Sequence, residues 1–319
     1  MEGWIAVTHH GWYEHLARRP FWDEVNFWRP SARHAFRGTP GSPFFFKLKT
    51  PHNAIGGFGL VARFSRLPDW LAWESFREAN GAVSFAEMEQ RLNEIRTKNK
   101  FRDAGPVPQI GCILLSTAVF FPPELWIPQP ADWPVRNLTN MRYDLTQGEG
   151  LRIWRECEQR LIAMRGDIGR APATQANELS VAEDVLGRFG KPQLVAPRLG
   201  QGAFRIGVTD AYGRACTVTG EHSLPALEAA HIKPYRQDGP HAIANGLLLR
   251  ADLHRLFDQG YLTVTPQHRL EISRHLRIDY ANGRSYYPHH GREIVLPDDP
   301  ACRPSPEFLH WHNENVYRA

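Results

Sequence analysis

The chain has 319 residues, 38 Lys and Arg against 34 Asp and Glu, a formal net charge of +4 and a hydrophobic share of 42%. That length exceeds one ordinary domain and supports two cores, and the composition disfavours a disordered, collagen-like or membrane-embedded protein. The longest apolar stretch, Cys112 to Phe121, is interrupted by Ser116 and Thr117 and falls far short of the roughly 20 residues of a membrane helix.

The opening residues, Met1-Glu2-Gly3-Trp4-Ile5, show no basic stretch followed by an apolar region and a small-residue cleavage site. A cytoplasmic location with no membrane partner is therefore expected. Four scattered cysteines, Cys112, Cys157, Cys216 and Cys302, predict reduced thiols rather than a disulfide framework or a paired-cysteine zinc site. The mild positive charge suits a polyanionic partner but is weak evidence alone.

From Trp4 to about Asp144 short apolar or aromatic runs alternate with Pro and Gly, a β-rich pattern. Strands are predicted at Trp4–Thr8, Phe44–Lys49, Ile55–Phe64 and Ile110–Leu115. Ser84-Phe85-Ala86-Glu87 reads as a capping box opening a helix through Met88, Leu92 and Ile95. Its basic continuation, residues 96–102, reads as a solvated helix end, with a phosphate contact as the alternative. Prolines 122, 123, 128, 130 and 134 mark an irregular exit, followed by an amphipathic helix at Leu151–Met164 and a connector at Ala171–Gly202 with a short helix around Ser180–Phe189. The predicted organisation is a first domain over 1–144, a helical linker over 145–202 and a second domain over 203–319.

The chemistry concentrates in three segments. Leu227 to Ile232 reads as a strand with His231 near its end, before a loop containing Pro234 and Gly239-Pro240. Asn245 leads a second strand, Gly246–Leu249. Asp252 is the expected N-cap of a helix through Leu253, Leu256 and Phe257 to a stop at Gly260. The order strand, loop, strand, helix suits phosphodiester hydrolysis: a divalent cation on the helix polarises phosphate, and a neutral imidazole opposite takes a proton from water. His231 is the candidate base and His254 the candidate ligand. Asp258, one turn later on the same face, is a second ligand or else a surface partner of Arg255. Asn245 orients the imidazole or completes the metal shell. Glu228 should alternate away from His231 along a strand.

The pattern AAHI.P, NGLLL, DLHRLFD.G over about Gly213 to Thr265 resembles the HNH nuclease family, specifically the branch found in bacterial restriction endonucleases. The resemblance implies a ββα-metal fold, with His231 as base, Asn245 as positioning residue and His254 as metal ligand. It implies one divalent metal per site, Mg²⁺ or Mn²⁺. Two positions depart from the family. Ala230 stands where many members place an acidic ligand or a second His, a gap that Asp258 or Glu228 would fill. Cys216 lacks the partner cysteines of a structural zinc, so no such zinc is expected.

Three segments of the first domain, Trp4 to Thr8, Val25 to Ser31, and Phe44 to Lys49 followed by Ile55 to Gly59, resemble the PUA superfamily of small β-barrels, which includes EVE and SRA-type readers of modified bases. That implies a pocket for a flipped base, with Trp28, Phe46 and Trp73 as ring faces and Asn53 or Asn80 reading the base edge. The combined expectation is an α+β chain: an N-terminal PUA-like β-barrel joined by a helical linker to a C-terminal ββα-metal HNH domain. It would act as a homodimeric, modification-dependent (type IV) endonuclease on double-stranded DNA carrying a modified base. The alternatives are an HNH nuclease without modification dependence and a DNA-binding protein that has lost its metal.

Overall fold

The computed structural model describes residues 1–101, 108–134, 139–168 and 199–319. The chain divides into two compact units, Met1–Ala203 and Phe204–Ala319.

The first unit is built on one sheet of seven strands: β1 (Glu2–Thr8), β2 (Phe21–Arg29), β3 (Pro43–Leu48), β4 (Ala54–Pro68), β5 (Gln109–Phe120), β6 (Ile127–Pro128) and β7 (Asn140–Asp144). Their order is β2-β5-β4-β3-β1-β7, with β6 on β4. β1 and β3 run parallel and the other neighbours antiparallel. The sheet is open, with β2 and β7 at its edges, which corrects the expected closed barrel. A helix does the covering instead. In α4 (Gly148–Ile168) the side chains of Ile153, Trp154, Cys157 and Leu161 form one buried cluster with Ile5, Phe45, Ile55 and Phe58 of the sheet. The amphipathic spacing at 151–164 is thus a sheet-covering face, and this helix belongs to the first unit's core rather than to a linker. The expected connector helix at 180–189 lies outside the described residues.

Trp12 from α1 (His10–Leu16) packs edge-on against Phe27 and Phe46, and Phe46 stacks on Phe120 with ring centroids 5.0 Å apart. β4 and β5 pair over almost their whole lengths, with register shifts near Leu60 and Arg63. Gly57, paired with Phe120 just before the first shift, lies against the neighbouring strand: its φ is +156°, and a Cβ there would lie 2.2 Å from the carbonyl oxygen of Val119. After α2 (Asp69–Phe76), α3 (Phe85–Asn99) opens as its sequence predicts, with Ser84 accepting from the N–H of Glu87. The Glu87 carboxylate reaches back one residue further than a capping box requires, to the N–H of Val83 at 2.8 Å.

The second unit's core draws on α5 (Gln201–Ala211), the antiparallel pair β8 (Leu227–His231) and β9 (Gly246–Arg250), and α6 (Ala251–Asp258). The hairpin β10 (Leu262–Val264) with β11 (Leu270–Ile272), α7 (His275–Tyr280) and α8 (Pro306–Asn315) adds Leu270, Ile272, Leu276 and Leu309 to the same core. The stretch after Arg269 therefore packs on the strand–strand–helix motif. α6 departs from expectation at its start. Arg250 is the N-cap residue, and Asp252 sits in the first turn, where it accepts two hydrogen bonds from the Arg250 guanidinium at 2.7 and 2.6 Å. Cys216 is fully buried in this core.

Candidate active site

β8 ends at His231, which pairs in register with Gly246 of β9. Glycine is required there because a Cβ would lie 2.4 Å from Val208 Cγ2 and 3.0 Å from the Phe204 ring. With that space open, Phe204 stacks on the His231 imidazole, centroids 3.8 Å apart and planes 16° from parallel. Burial, with smaller contributions from His241 and His254, pushes the His231 pKa down to about 4. The imidazole is therefore neutral at neutral pH, the state a general base needs.

Asn245 is fully buried, and its amide is consumed by the backbone. The Lys233 N–H donates to Oδ1 at 2.9 Å, and Nδ2 donates to the carbonyls of Lys233 and Pro240, both at 2.9 Å. One side chain thus ties together both ends of the loop between β8 and β9. Gly239 lets that loop close, since a Cβ there would lie 1.9 Å from the Lys233 carbonyl oxygen. The expectation of Asn245 as a metal ligand is corrected on this geometry: its polar atoms face the loop backbone.

On α6, Leu253 and Phe257 face the core, which places His254 and Asp258 on the adjacent row one turn apart. His254 Nδ1 lies 2.6 Å from Glu228 Oε2, and its Nε2 lies 3.4 Å from Asp258 Oδ2. Glu228 therefore turns toward the site, against expectation. Leu227 and Ala230 are the buried residues of β8 while Glu228, Ala229 and His231 are half-buried, so the strand does not alternate strictly. A two-stranded ribbon twists strongly, which brings Glu228 toward the helix. Asp258 is near His254, and among the described residues no ion pair joins it to Arg255.

Among the described residues no group of three His, Cys, Asp or Glu side chains closes around a single point. Two donors do fit one hard cation: two ligands each about 2.1 Å from Mg²⁺ stand roughly 3 to 3.5 Å apart, the separation of His254 Nε2 and Asp258 Oδ2. Mg²⁺ commonly takes few protein ligands and fills its shell with water and phosphate. Glu228, whose Oε2 lies 2.6 Å from Nδ1, would then be the carboxylate that holds the ring orientation.

In the first unit the five residues expected to form a base pocket occupy different settings. Phe46 is fully buried among Trp12, Phe27 and Phe120. Trp28 is buried and donates to the carbonyl of Asn80 at 2.9 Å. Asn80 is fully buried, donating to Ala72 and Arg77 carbonyls and accepting from Asn26. Trp28, Phe46 and Asn80 therefore belong to the core, a correction with a simple cause: aromatic and amide groups serve packing and pocket equally well in a sequence. Asn53 stands in a turn with φ of 44°, and Trp73 is half-buried beside Phe85. In sequence His241 reads as a loop residue able to approach DNA; only the closure of its loop brings it to His231.

No curated protein matches the chain. Among solved structures, the ASCH protein of Zymomonas mobilis aligns over 50% of this chain and 94% of its own length at 10% identity, with a TM-score of 0.29. The modification-dependent TagI restriction endonuclease aligns over 98% of this chain and 81% of its own at 13% identity, with a TM-score of 0.28. Residues 216–265, which span β8, the loop, β9 and α6, match the HNH_2 family, described as HNH endonuclease, and so constitute an HNH endonuclease domain.

Proposed function

We propose that this chain is a DNA endonuclease whose second unit hydrolyses phosphodiester bonds and whose first unit selects DNA carrying a modified base, as type IV restriction enzymes do. The observation that carries the nuclease reading is the pairing of unlike histidines within the HNH domain. His231 is held neutral by burial, and His254 on the neighbouring helix is flanked by the carboxylates of Glu228 from β8 and Asp258 from its own helix.

In this reading His231 takes the proton of a water as the water oxygen forms its bond to phosphorus and the bond to the leaving oxygen breaks. His254 and Asp258 would hold a divalent cation, Mg²⁺ or Mn²⁺, and such an ion would supply positive charge to the phosphate and the leaving oxygen. Glu228 fixes the His254 ring, and Asn245 fixes the loop beside the base. Cleavage of both strands needs two such centres, so the active species is a homodimer on DNA.

The reader role of the first unit rests on the resemblance of its strand segments to PUA-like domains. The burial of Trp28, Phe46 and Asn80 favours a second reading, an HNH nuclease that cuts unmodified DNA equally well.

The deciding experiment is cleavage with Mg²⁺ or Mn²⁺ of matched duplexes containing cytosine, 5-methylcytosine, 5-hydroxymethylcytosine or 6-methyladenine, with His231→Ala as control. Cutting of one modified duplex alone, lost in the variant, is the expected result. Equal cutting of all four establishes the second reading, and equal residual activity in wild type and variant overturns the nuclease reading.

A further inference from the structure

His231 has a partner that neither the motif nor the HNH match assigns. Its Nε2 lies 2.9 Å from Nδ1 of His241, in hydrogen-bond range. His241 is itself fixed on two sides. The Tyr235 ring stacks on it with centroids 4.5 Å apart and planes 7° from parallel, and the preceding residue, Pro240, has its carbonyl held by Asn245. The buried Asn245 clamp, the loop closed at Gly239 and the stacked tyrosine thus all converge on placing one imidazole nitrogen against the candidate base.

We propose that His241 is the positioning residue of the nuclease centre: its Nδ1 accepts the Nε2–H of His231, which leaves Nδ1 of His231 as the lone pair that receives the proton of the attacking water. The proposal rests on the nuclease reading of the site. Its logic is tautomeric. A neutral imidazole carries one proton, and the hydrogen bond made by one ring nitrogen decides which nitrogen is bare. With the proton of His241 on its outer nitrogen, Nε2, the inner nitrogen can only accept, so His231 must donate from Nε2. The opposite assignment, with Nδ1–H of His241 donating, would put the proton of His231 on Nδ1 and leave His231 no lone pair for the water; the bare nitrogen would then be Nε2 of His241. When Nδ1 of His231 gains the water proton, the resulting cation donates through Nε2 into His241, which stabilises its charge. Phe204 on the other face of His231 prevents the ring from turning away.

Two readouts test this on the full chain. The first is the long-range proton–nitrogen spectrum of ¹⁵N-histidine-labelled protein, which shows which ring nitrogen is protonated without reference to activity. A protonated Nε2 and a bare Nδ1 on His231 are expected. The reverse tautomer overturns the proposal even if cleavage is normal.

The second is single-turnover cleavage of the duplex that the wild type cuts, by His241→Ala and His241→Asn. Asparagine keeps an acceptor oxygen near the place of Nδ1. His241→Ala should lower the cleavage rate about 10- to 100-fold, leave binding of uncut duplex without divalent metal unchanged, and be largely rescued in His241→Asn. Equal losses in both variants, or none in either, overturn the positioning role. A wild type indistinguishable from His231→Ala overturns the nuclease reading and the catalytic role together, which the spectrum separates from a wrong tautomer.

Discussion

Asn245 and Lys233 are joined by a reciprocal pair of hydrogen bonds, side-chain amide to both backbone groups, each 2.9 Å long and fully removed from solvent on the asparagine side. A third bond, to the Pro240 carbonyl, makes the amide a clasp across the loop that separates the two strands of the site. The middle residue of the HNH signature is thereby a backbone organiser in this protein.

The clasp makes a sharp prediction about substitution. Asn245→Ala removes three hydrogen bonds between a fully buried amide and the loop backbone and should cost about 1–3 kcal/mol of unfolding stability together with most cleavage. Asn245→Asp should do no better, because its second oxygen would face two carbonyl oxygens where Nδ2 now donates. Urea unfolding and cleavage rates of the two variants check this, and wild-type cleavage by Asn245→Asp would refute the clasp.

Glu228 and Asp258 should behave differently although both touch His254. As a ligand, Asp258 changed to Asn should abolish Mn²⁺ binding by calorimetry and cleavage with it. Changing Glu228 to Ala removes only the orienting carboxylate, so Mn²⁺ affinity should fall about 10- to 100-fold, with cleavage recovered at high Mn²⁺. Identical behaviour of the two variants would show that the distinction is wrong.

Acid should weaken the second unit through its buried histidines. His312 stacks on Phe257 at 3.7 Å, accepts from Thr263 and donates to the Phe257 carbonyl, and burial pushes its pKa down to about 4 from 6.5. The folded state therefore binds fewer protons than the unfolded chain between these values. The stabilisation is complete above pH 6.5 and is lost as pH falls toward about 4, at no more than about 1.4 kcal/mol per pH unit for each such group. His231 acts in the same direction. Urea unfolding at pH 7.5 and 5 should show the loss, and His312→Gln should reduce it; an unchanged pH dependence would exclude His312 as a source.

Gly246→Ala tests how the base is seated. The added methyl meets Val208 and Phe204, so the Phe204 ring must move off His231. A cost of about 1–3 kcal/mol is expected, with a cleavage loss that exceeds any loss of DNA binding. Retained stability with full cleavage would show that the stack has no role.

Asn80→Ala separates core from reader in the first unit. It should lower stability by about 2 kcal/mol, through three lost hydrogen bonds of a buried side chain, and leave the ranking of modified and plain duplexes unchanged. A changed ranking at wild-type stability would return Asn80 to a recognition role.

Much of the second unit is legible in sequence because its determinants are local. The apolar run Leu247 to Leu249 can only be a buried strand, and the spacing of Leu253 and Phe257 can only seat a helix with His254 and Asp258 on the adjacent row. Those short-range patterns single out His231, Asn245 and His254 as candidates without any tertiary information. The same holds for Ser84 at the head of its helix. What sequence left open depends on contacts between residues that no local period relates. Ribbon twist turned Glu228 toward His254, and loop closure by Asn245 carried His241 onto His231. In the first unit α4 covers the sheet that was expected to close on itself, and the core absorbed Trp28, Phe46 and Asn80. A residue's type and spacing decide which element it joins; which neighbours it meets, and so whether an amide or a ring packs, clasps or reads a ligand, is decided only when distant elements compete for the same buried space.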